Sequence, residues 1–243
     1  MPLIRRLDTC FDLSQADRAA LERLAGFPAR DIEPRRDLAR EGDTPHHIRL
    51  LVDGWACRYK TTPDGHRQIV GFILPGDFCD FSGHLLSRMD HSIGAITRLR
   101  VAQIAPETLD ALVVDHPGIG RALWRRELVS ASIQREWLLS LGQRSAYERL
   151  GHLLVELFCR LRTTGVVNHD HCAFPLTQND LADATGLTSV HVNRTLREFR
   201  LQGLVELDRR ILRLPDLDGL MKVSGFNSAY LHVDEEGPVD AYV

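Results

Sequence analysis

Between Leu176 and Gly203 the chain reads L-T-Q-N-D-L-A-D-A-T-G-L-T-S-V-H-V-N-R-T-L-R-E-F-R-L-Q-G. Its side chains suit one chemistry, hydrogen bonding to the edges of base pairs and to phosphates. Arginine is the commonest bidentate reader of guanine in the major groove, asparagine can pair with adenine, and a small apolar group can touch a thymine methyl. The spacing predicts how they are held. Thr177 caps a short helix with Asp180 at its third position, near the positive end of the helix dipole. Leu181 and Ala182 point inward, and the small Ala182 lets a second helix cross closely. Gly186 supplies the left-handed residue that ends the first helix, Leu187 plugs the turn, and Thr188 caps the second helix. There Val192, Leu196 and Phe199 share an inward arc, while Val190, Asn193, Arg194 and Arg197 fall opposite. This is the pattern of a helix-turn-helix with its second helix presented outward. Leu204 to Leu207 and Ile211 to Leu214 follow as a two-strand hairpin whose tip, Arg209 and Arg210, would reach phosphates as a wing.

Other reactive residues point to less. The cysteines at 10, 57, 79, 159 and 172 show no Cys-x-x-Cys spacing, and in a reducing compartment they read as small apolar residues or free thiols. Cys79 has no basic neighbour in sequence to lower its pKa. His46-His47 would point apart on an extended strand. His169 and His171 would share one side, with Cys172 and Cys159 near, but lie where a polar loop is expected. No metal site is therefore assigned. Haem remains possible, since one histidine suffices as an axial ligand. No G-x-x-x-x-G-K, G-x-G-x-x-G, H-E-x-x-H or G-x-S-x-G motif occurs, so no enzyme is expected. The Asn193-Arg194-Thr195 sequon lies inside the recognition helix and is set aside.

The elements that must position these residues follow from turn signals and periodicity. Asp53-Gly54, Asp64-Gly65 and Pro75-Gly76 separate short strand-like runs at Ile48 to Val52, Trp55 to Lys60 and Gln68 to Leu74, with later runs near Ala95 and at Val101 to Ile104. Short, regularly spaced strands suggest a β sandwich or barrel. Glu107 to Asp115 reads as a short helix. Pro117 opens a long one to about Leu141, carrying an apolar stripe of Ile119, Leu123, Val129, Ile133, Trp137 and Leu141. That stripe either packs on its own domain or pairs two copies. About 24 residues span roughly 36 Å, more than a small β domain covers, so the stripe is expected at a dimer interface. Gly142 breaks the helix. Ser145 and Glu148 form a capping box for a helix to about Arg162, whose buried face is Leu150, Leu153, Leu154, Leu157, Phe158 and Leu161.

The chain has 243 residues, 44% hydrophobic and 26% charged, with formal net charge −3. These are values of a soluble globular protein of one or two domains. The charge is uneven. Six arginines against three acids occupy Thr188 to Arg213, whereas six acids and one lysine follow Pro215. No apolar run is long enough to span a membrane. Arg5, Arg6, Asp8 and Asp12 interrupt the N-terminus where a signal peptide needs an apolar stretch. A cytoplasmic protein without a membrane partner is expected.

The chain resembles the Crp/Fnr family of bacterial transcription regulators. The resemblance runs from about residue 30 to 214. It rests on Gly42, Gly54, Gly65 and Gly76, the P-G-D-F run at 75 to 78, His116-Pro117, R-S-A-Y-E-R-L at 144 to 150, and the helix-turn-helix. It implies an α+β chain: an N-terminal β-roll (jelly-roll-like) at 1–116, a long dimerisation helix at 117–142, and a C-terminal winged helix-turn-helix at 143–222, leaving an acidic tail at 223–243. It also implies a homodimer on an inverted repeat of double-stranded DNA, with RNA polymerase as a further partner. Ser189, Val190 and Arg194 match the family's base-reading positions. The full set expected on DNA is Thr177, Gln178, Thr188, Ser189, Val190, His191, Asn193, Arg194, Arg197, Arg209 and Arg210. Valine at 190 replaces a frequent glutamate, so no half-site is inferred. The effector pocket should lie at Phe78, Cys79, Phe81, His91, Ser92 and Gln134. Phe81 occupies the place of the glutamate, and Asp90 or His91 that of the arginine, with which cyclic-nucleotide binders hold ribose and phosphate. Cyclic AMP is therefore not expected as effector. Cys10 stands alone where the oxygen-sensing branch clusters its cysteines. Gating by haem, thiol oxidation or another small ligand is one alternative. A signalling module whose helix-turn-helix serves protein contacts is another.

Overall fold

The computed structural model describes residues 1–9, 11–80 and 85–233. Cys10, Phe81 and the residues from 234 onward lie outside them. Two short helices come first, α1 (Pro2–Asp8) and α2 (Gln15–Ala25). Ser14 and Asp17 form a full capping box at the start of α2.

Seven strands follow: β1 (Ala29–Ile32), β2 (Asp37–Ala39), β3 (Ile48–Asp53), β4 (Ala56–Thr61), β5 (Arg67–Ile73), β6 (Ser92–Ala95) and β7 (Leu99–Ile104). They form two antiparallel sheets, ordered β1-β7-β3 and β2-β6-β4-β5. The Asp64-Gly65 turn closes the β4–β5 hairpin. Asp53-Gly54 instead passes the chain from one sheet to the other, and a Cβ on Gly54 (φ 93°) would stand 2.3 Å from the Arg98 carbonyl. Between the sheets Leu51, Ala56, Ile73, Ile93, Leu99 and Val101 close a dry core. This is the expected roll.

Helix α3 (Pro106–Asp115) leads into α4 (Pro117–Gln143), 27 residues and about 40 Å long. The dimer assignment of its stripe needs correction. Ile119, Leu123, Val129, Ile133 and Trp137 are buried within this chain, and only Leu141 is at the surface. Ile119 and Leu123 pack with Leu3, Leu7, Leu21 and Leu50, whereas Val129, Ile133 and Trp137 join Phe72, Leu157 and Phe158. The N-terminal helices and the roll cover one side of α4, and the DNA-binding unit covers its far end. These two covers, and not the roll alone, account for the length of the helix. The large apolar side chains of α4 left outward are Trp124, Leu128, Leu138, Leu139 and Leu141.

Helix α5 (Ala146–Arg162) starts at the predicted Ser145–Glu148 capping box. Strand β8 (His171–Ala173) lies where a loop was expected. It pairs with β10 (Ile211–Arg213), which pairs with β9 (Glu206–Asp208), so the wing is a three-stranded sheet. His169 takes φ 52° in the tight turn before β8 rather than alternating with His171. Among the described residues, no three His, Cys, Asp or Glu side chains approach closely enough to hold a metal.

Helix α8 (Leu217–Ser224) crosses the expected boundary at 222, and a 3₁₀ turn at Ser228–Leu231 folds back onto the body. The start of the expected tail is therefore packed structure. Phe226 and Leu231 are buried, and the Tyr230 hydroxyl donates to Glu156 Oε2 at 3.0 Å. No helix of the described residues is long and apolar enough to cross a membrane.

Candidate nucleic-acid interface

Helices α6 (Gln178–Thr185) and α7 (Ser189–Leu201) form the expected pair. The Thr177 hydroxyl caps α6 while Asp180 Oδ2 accepts from the Thr177 amide at 2.9 Å. Gly186 takes φ 64° at the turn, and Thr188 Oγ1 accepts from the His191 amide at 3.2 Å. Val192, Leu196 and Phe199 are buried, which turns the rest of α7 outward. Val190 is 78% exposed. Asn193, Arg194, Arg197 and Gln178 are exposed, while Thr177, Ser189 and His191 are half-buried on the same face. The wing tip holds Arg209 and Arg210, both exposed and both at positive φ, as a tight hairpin turn demands.

The electrostatics of this face are one-sided. Among the described residues no carboxylate pairs with Arg194, Arg197, Arg200 or Arg210, and Arg209 has only Asp208 at 3.7 Å. Arg194 Nη2 donates to His191 Nε2 at 2.8 Å. A recess of about 210 Å³ opens between Gln178, Asn193, Arg197, Arg200 and Leu207. Arg200 was not in the expected set, although its place one helical turn beyond Arg197 was legible.

The unit behind this face is fastened to the roll. Arg35 pairs with Asp180 at 3.3 Å, Arg67 with Asp183 at 3.7 Å, and Gln68 Nε2 donates to the Ala184 carbonyl at 3.3 Å. Deeper in, Asp77 of the P-G-D-F turn meets Arg6 of α1 at 3.4 Å, Arg126 of α4 at 2.8 Å and Arg160 of α5 at 3.4 Å. Burial pushes its carboxyl pKa up, but the three guanidiniums outweigh burial and hold it well below the usual range. Trp137 Nε1 donates to Glu156 Oε2 at 2.9 Å, and His152 stacks on Tyr230 and lies tilted against Phe226. Burial, aided by Arg144, pushes the His152 pKa down to about 3.

The expected effector residues divide. A cavity of about 780 Å³ opens between the roll and α4, and Cys79, His91 and Gln134 line it. Phe78 does not; it packs with Leu50, Ile104 and Leu123. Nor does Ser92, whose hydroxyl accepts from the Glu41 amide at 3.0 Å. Sequence reasoning missed Arg58, Lys60 and Arg135 and set Arg88 aside as offset from the family's arginine; these cations line the cavity together with Asp80, Asp90 and Glu127. Arg58 is fixed by the Phe78 and Cys79 carbonyls and Arg88 by that of Gly42. The described thiols are poor redox sensors. Burial raises Cys57 and Cys159 to about 11, Cys172 to about 12, and Cys79 further still.

Roll, long helix and winged helix-turn-helix in one chain define a two-domain transcription regulator. Residues 29–116 match the cyclic nucleotide-binding domain, and residues 148–223 match the Crp-like helix-turn-helix domain. The transcriptional activatory protein AadR of Rhodopseudomonas palustris is 33% identical over 212 residues, covering 83% of this chain and 82% of that protein. The transcriptional activator protein FnrL of Cereibacter sphaeroides is 27% identical over 232 residues, covering 93% and 91%. In fold, the chain is similar to FixK2 from Bradyrhizobium japonicum, with a TM-score of 0.72 and 24% identity, covering 83% of this chain and all of that one. This chain belongs to the Crp/Fnr family of transcription regulators.

Proposed function

We propose that two copies of this chain bind an inverted-repeat DNA site and regulate transcription from it. Helix α7 would enter the major groove, and the wing would touch the flanking backbone. The observation that carries this reading is the outward face of α7, where Arg194 and Arg197 stand free of carboxylates beside Asn193 and Val190. Arg194 would read guanine, Asn193 adenine and Val190 a thymine methyl. The recess between α6, α7 and β9 suits a phosphate. RNA polymerase would be the further partner, and the cytoplasm the place of action.

Pairing would use the free face of α4. Trp124, Leu128, Ala131 and Leu138 recur at spacings that keep a coiled-coil seam on one side. Trp124 is 68% and Leu138 is 72% exposed, more apolar surface than an isolated helix face leaves to water without cause.

The test is selection of bound sequences from a random DNA pool at two salt concentrations. Enrichment of an inverted repeat, with affinity falling steeply with salt, is expected. Arg194→Ala should weaken the specific site by about 1–3 kcal/mol and relax one base position while the fold melts as before. An unchanged preference would remove Arg194 from the reading set, and absence of salt-dependent binding would favour protein contacts instead.

A small-molecule gate is a second reading, favoured by the cavity between roll and α4, at the seam that joins sensor to dimer helix. Cyclic AMP is not our choice of effector, because in sequence Phe81 takes the place of the family's ribose-binding glutamate. Calorimetric titration with cyclic AMP should show no heat of binding.

A further inference from the structure

We propose that His191 is a positioning residue for Arg194: it accepts a hydrogen bond from the guanidinium and so fixes the direction in which Arg194 meets a base. The proposal rests on the DNA-binding reading above and adds a specificity determinant to it.

The geometry is local and closed. His191 and Arg194 stand three residues apart on α7, the spacing that brings side chains together on one helix face. The His191 backbone is held by the helix cap, since its amide donates to Thr188 Oγ1 at 3.2 Å. From that anchored position its Nε2 lies 2.8 Å from Arg194 Nη2. A guanidinium only donates, so in this contact the imidazole Nε2 is the acceptor. No carboxylate competes for Arg194 among the described residues. The imidazole is thus the group that orients it.

The chemistry follows from the number of donors. Arginine has five N–H groups in a rigid fork. One is spent on His191, and the remaining four include the pair that a guanine O6/N7 edge requires. A guanidinium already held in place loses less conformational freedom on meeting its base than one that sweeps the solvent. The benefit falls on the correct base pair, where the fork is fully used, and hardly at all on nonspecific phosphate contacts. His191 therefore acts on discrimination through Arg194, without needing a base of its own.

The experiment uses the full chain and the site selected from the random pool. The base pair whose preference disappears in Arg194→Ala is identified first. Two duplexes differing only at that pair are then titrated with wild type, His191→Ala and His191→Gln, and nonspecific affinity is measured on an unrelated duplex. Melting curves confirm folding. His191→Ala should lose about tenfold of the discrimination at that pair, as expected for roughly half of a good bidentate contact, with a clearly smaller loss of nonspecific affinity. His191→Gln, whose side-chain oxygen can still accept, should recover most of it. Unchanged discrimination in His191→Ala overturns the proposal. So does a loss at a different base pair, which would make His191 a reader itself, or a uniform loss on all duplexes, which would make it a phosphate contact. If the wild-type chain binds no DNA in a salt-dependent way, the functional reading fails and this inference falls with it. The two failures are thus distinguishable.

Discussion

His152 and Glu156 show how single residues hold the junction of the two domains. Glu156 is fully buried, and Trp137 and Tyr230 both donate to its Oε2. Glu156→Gln keeps an acceptor there, whereas Glu156→Leu strands two donors at about 1–3 kcal/mol each. His152 makes the junction sensitive to acid. Its pKa falls from 6.5 to about 3 on folding, chiefly through burial. Between those values the unfolded chain takes up a proton that the folded chain refuses. The stability is fully present above pH 6.5 and is lost as pH falls toward 3, by up to about 1.4 kcal/mol per pH unit. Asp77, depressed by its arginines, adds a loss of the same sign in the carboxylate range. Glu156, raised by burial, opposes it. Urea unfolding between pH 7.5 and 5, above most carboxylate titration, isolates the histidine. Wild type should lose stability across this range and His152→Gln should be flatter; equal slopes would exclude His152 as the cause.

At the scale of elements, α4 has two apolar faces with different duties. The inner face, Ile119 to Trp137, is core, and the outer face at Trp124, Leu128 and Leu138 is free in the single chain. A charge at Val129 or Ile133 would be buried without a partner and should unfold the chain or cost several kcal/mol. A charge at Leu128 or Leu138 meets water in the monomer. Leu128→Glu with Leu138→Glu should therefore give a folded monomer. Light scattering with circular dichroism separates the two outcomes, and a double variant that keeps the dimer mass would remove this face from the interface. Both faces were written in the chain. The inner stripe is the more regular of the two, but periodicity reports that a face is buried without reporting by what.

At the scale of the molecule, the segment after α8 straps the DNA-binding unit to α4. Phe226, Tyr230 and Leu231 pack on His152 and on α4, and His232 Nε2 lies 3.4 Å from Ser132 Oγ. Burying each large apolar side chain contributes about 1.5–3 kcal/mol as an upper estimate. Truncation after Gly225 should lower the melting temperature by several degrees and raise amide exchange in α5. Unchanged exchange in α5 would show that the strap carries no tension between the domains. Arg35, Arg67 and Gln68 fasten the same unit to the roll on its other side, so its orientation is held from two directions.

The sequence by itself determined the local elements: the glycine turns of the roll, the start of α4 at Pro117, the capping boxes at Ser145 and Thr177, the left-handed Gly186, and which residues of α7 face out. Each depends on a backbone preference or a helical arc spanning a few residues, and such signals survive in one dimension. Only the tertiary structure decided what covers each apolar face. It placed the P-G-D-F aspartate among arginines from three helices, turned Phe78 away from the cavity, brought Arg58 and Arg135 into it, recruited His171–Ala173 to the wing, and folded Phe226–Leu231 over the domain junction. These juxtapositions join residues tens to more than a hundred positions apart. They are set by how whole faces exclude water together, a quantity that no local spacing encodes.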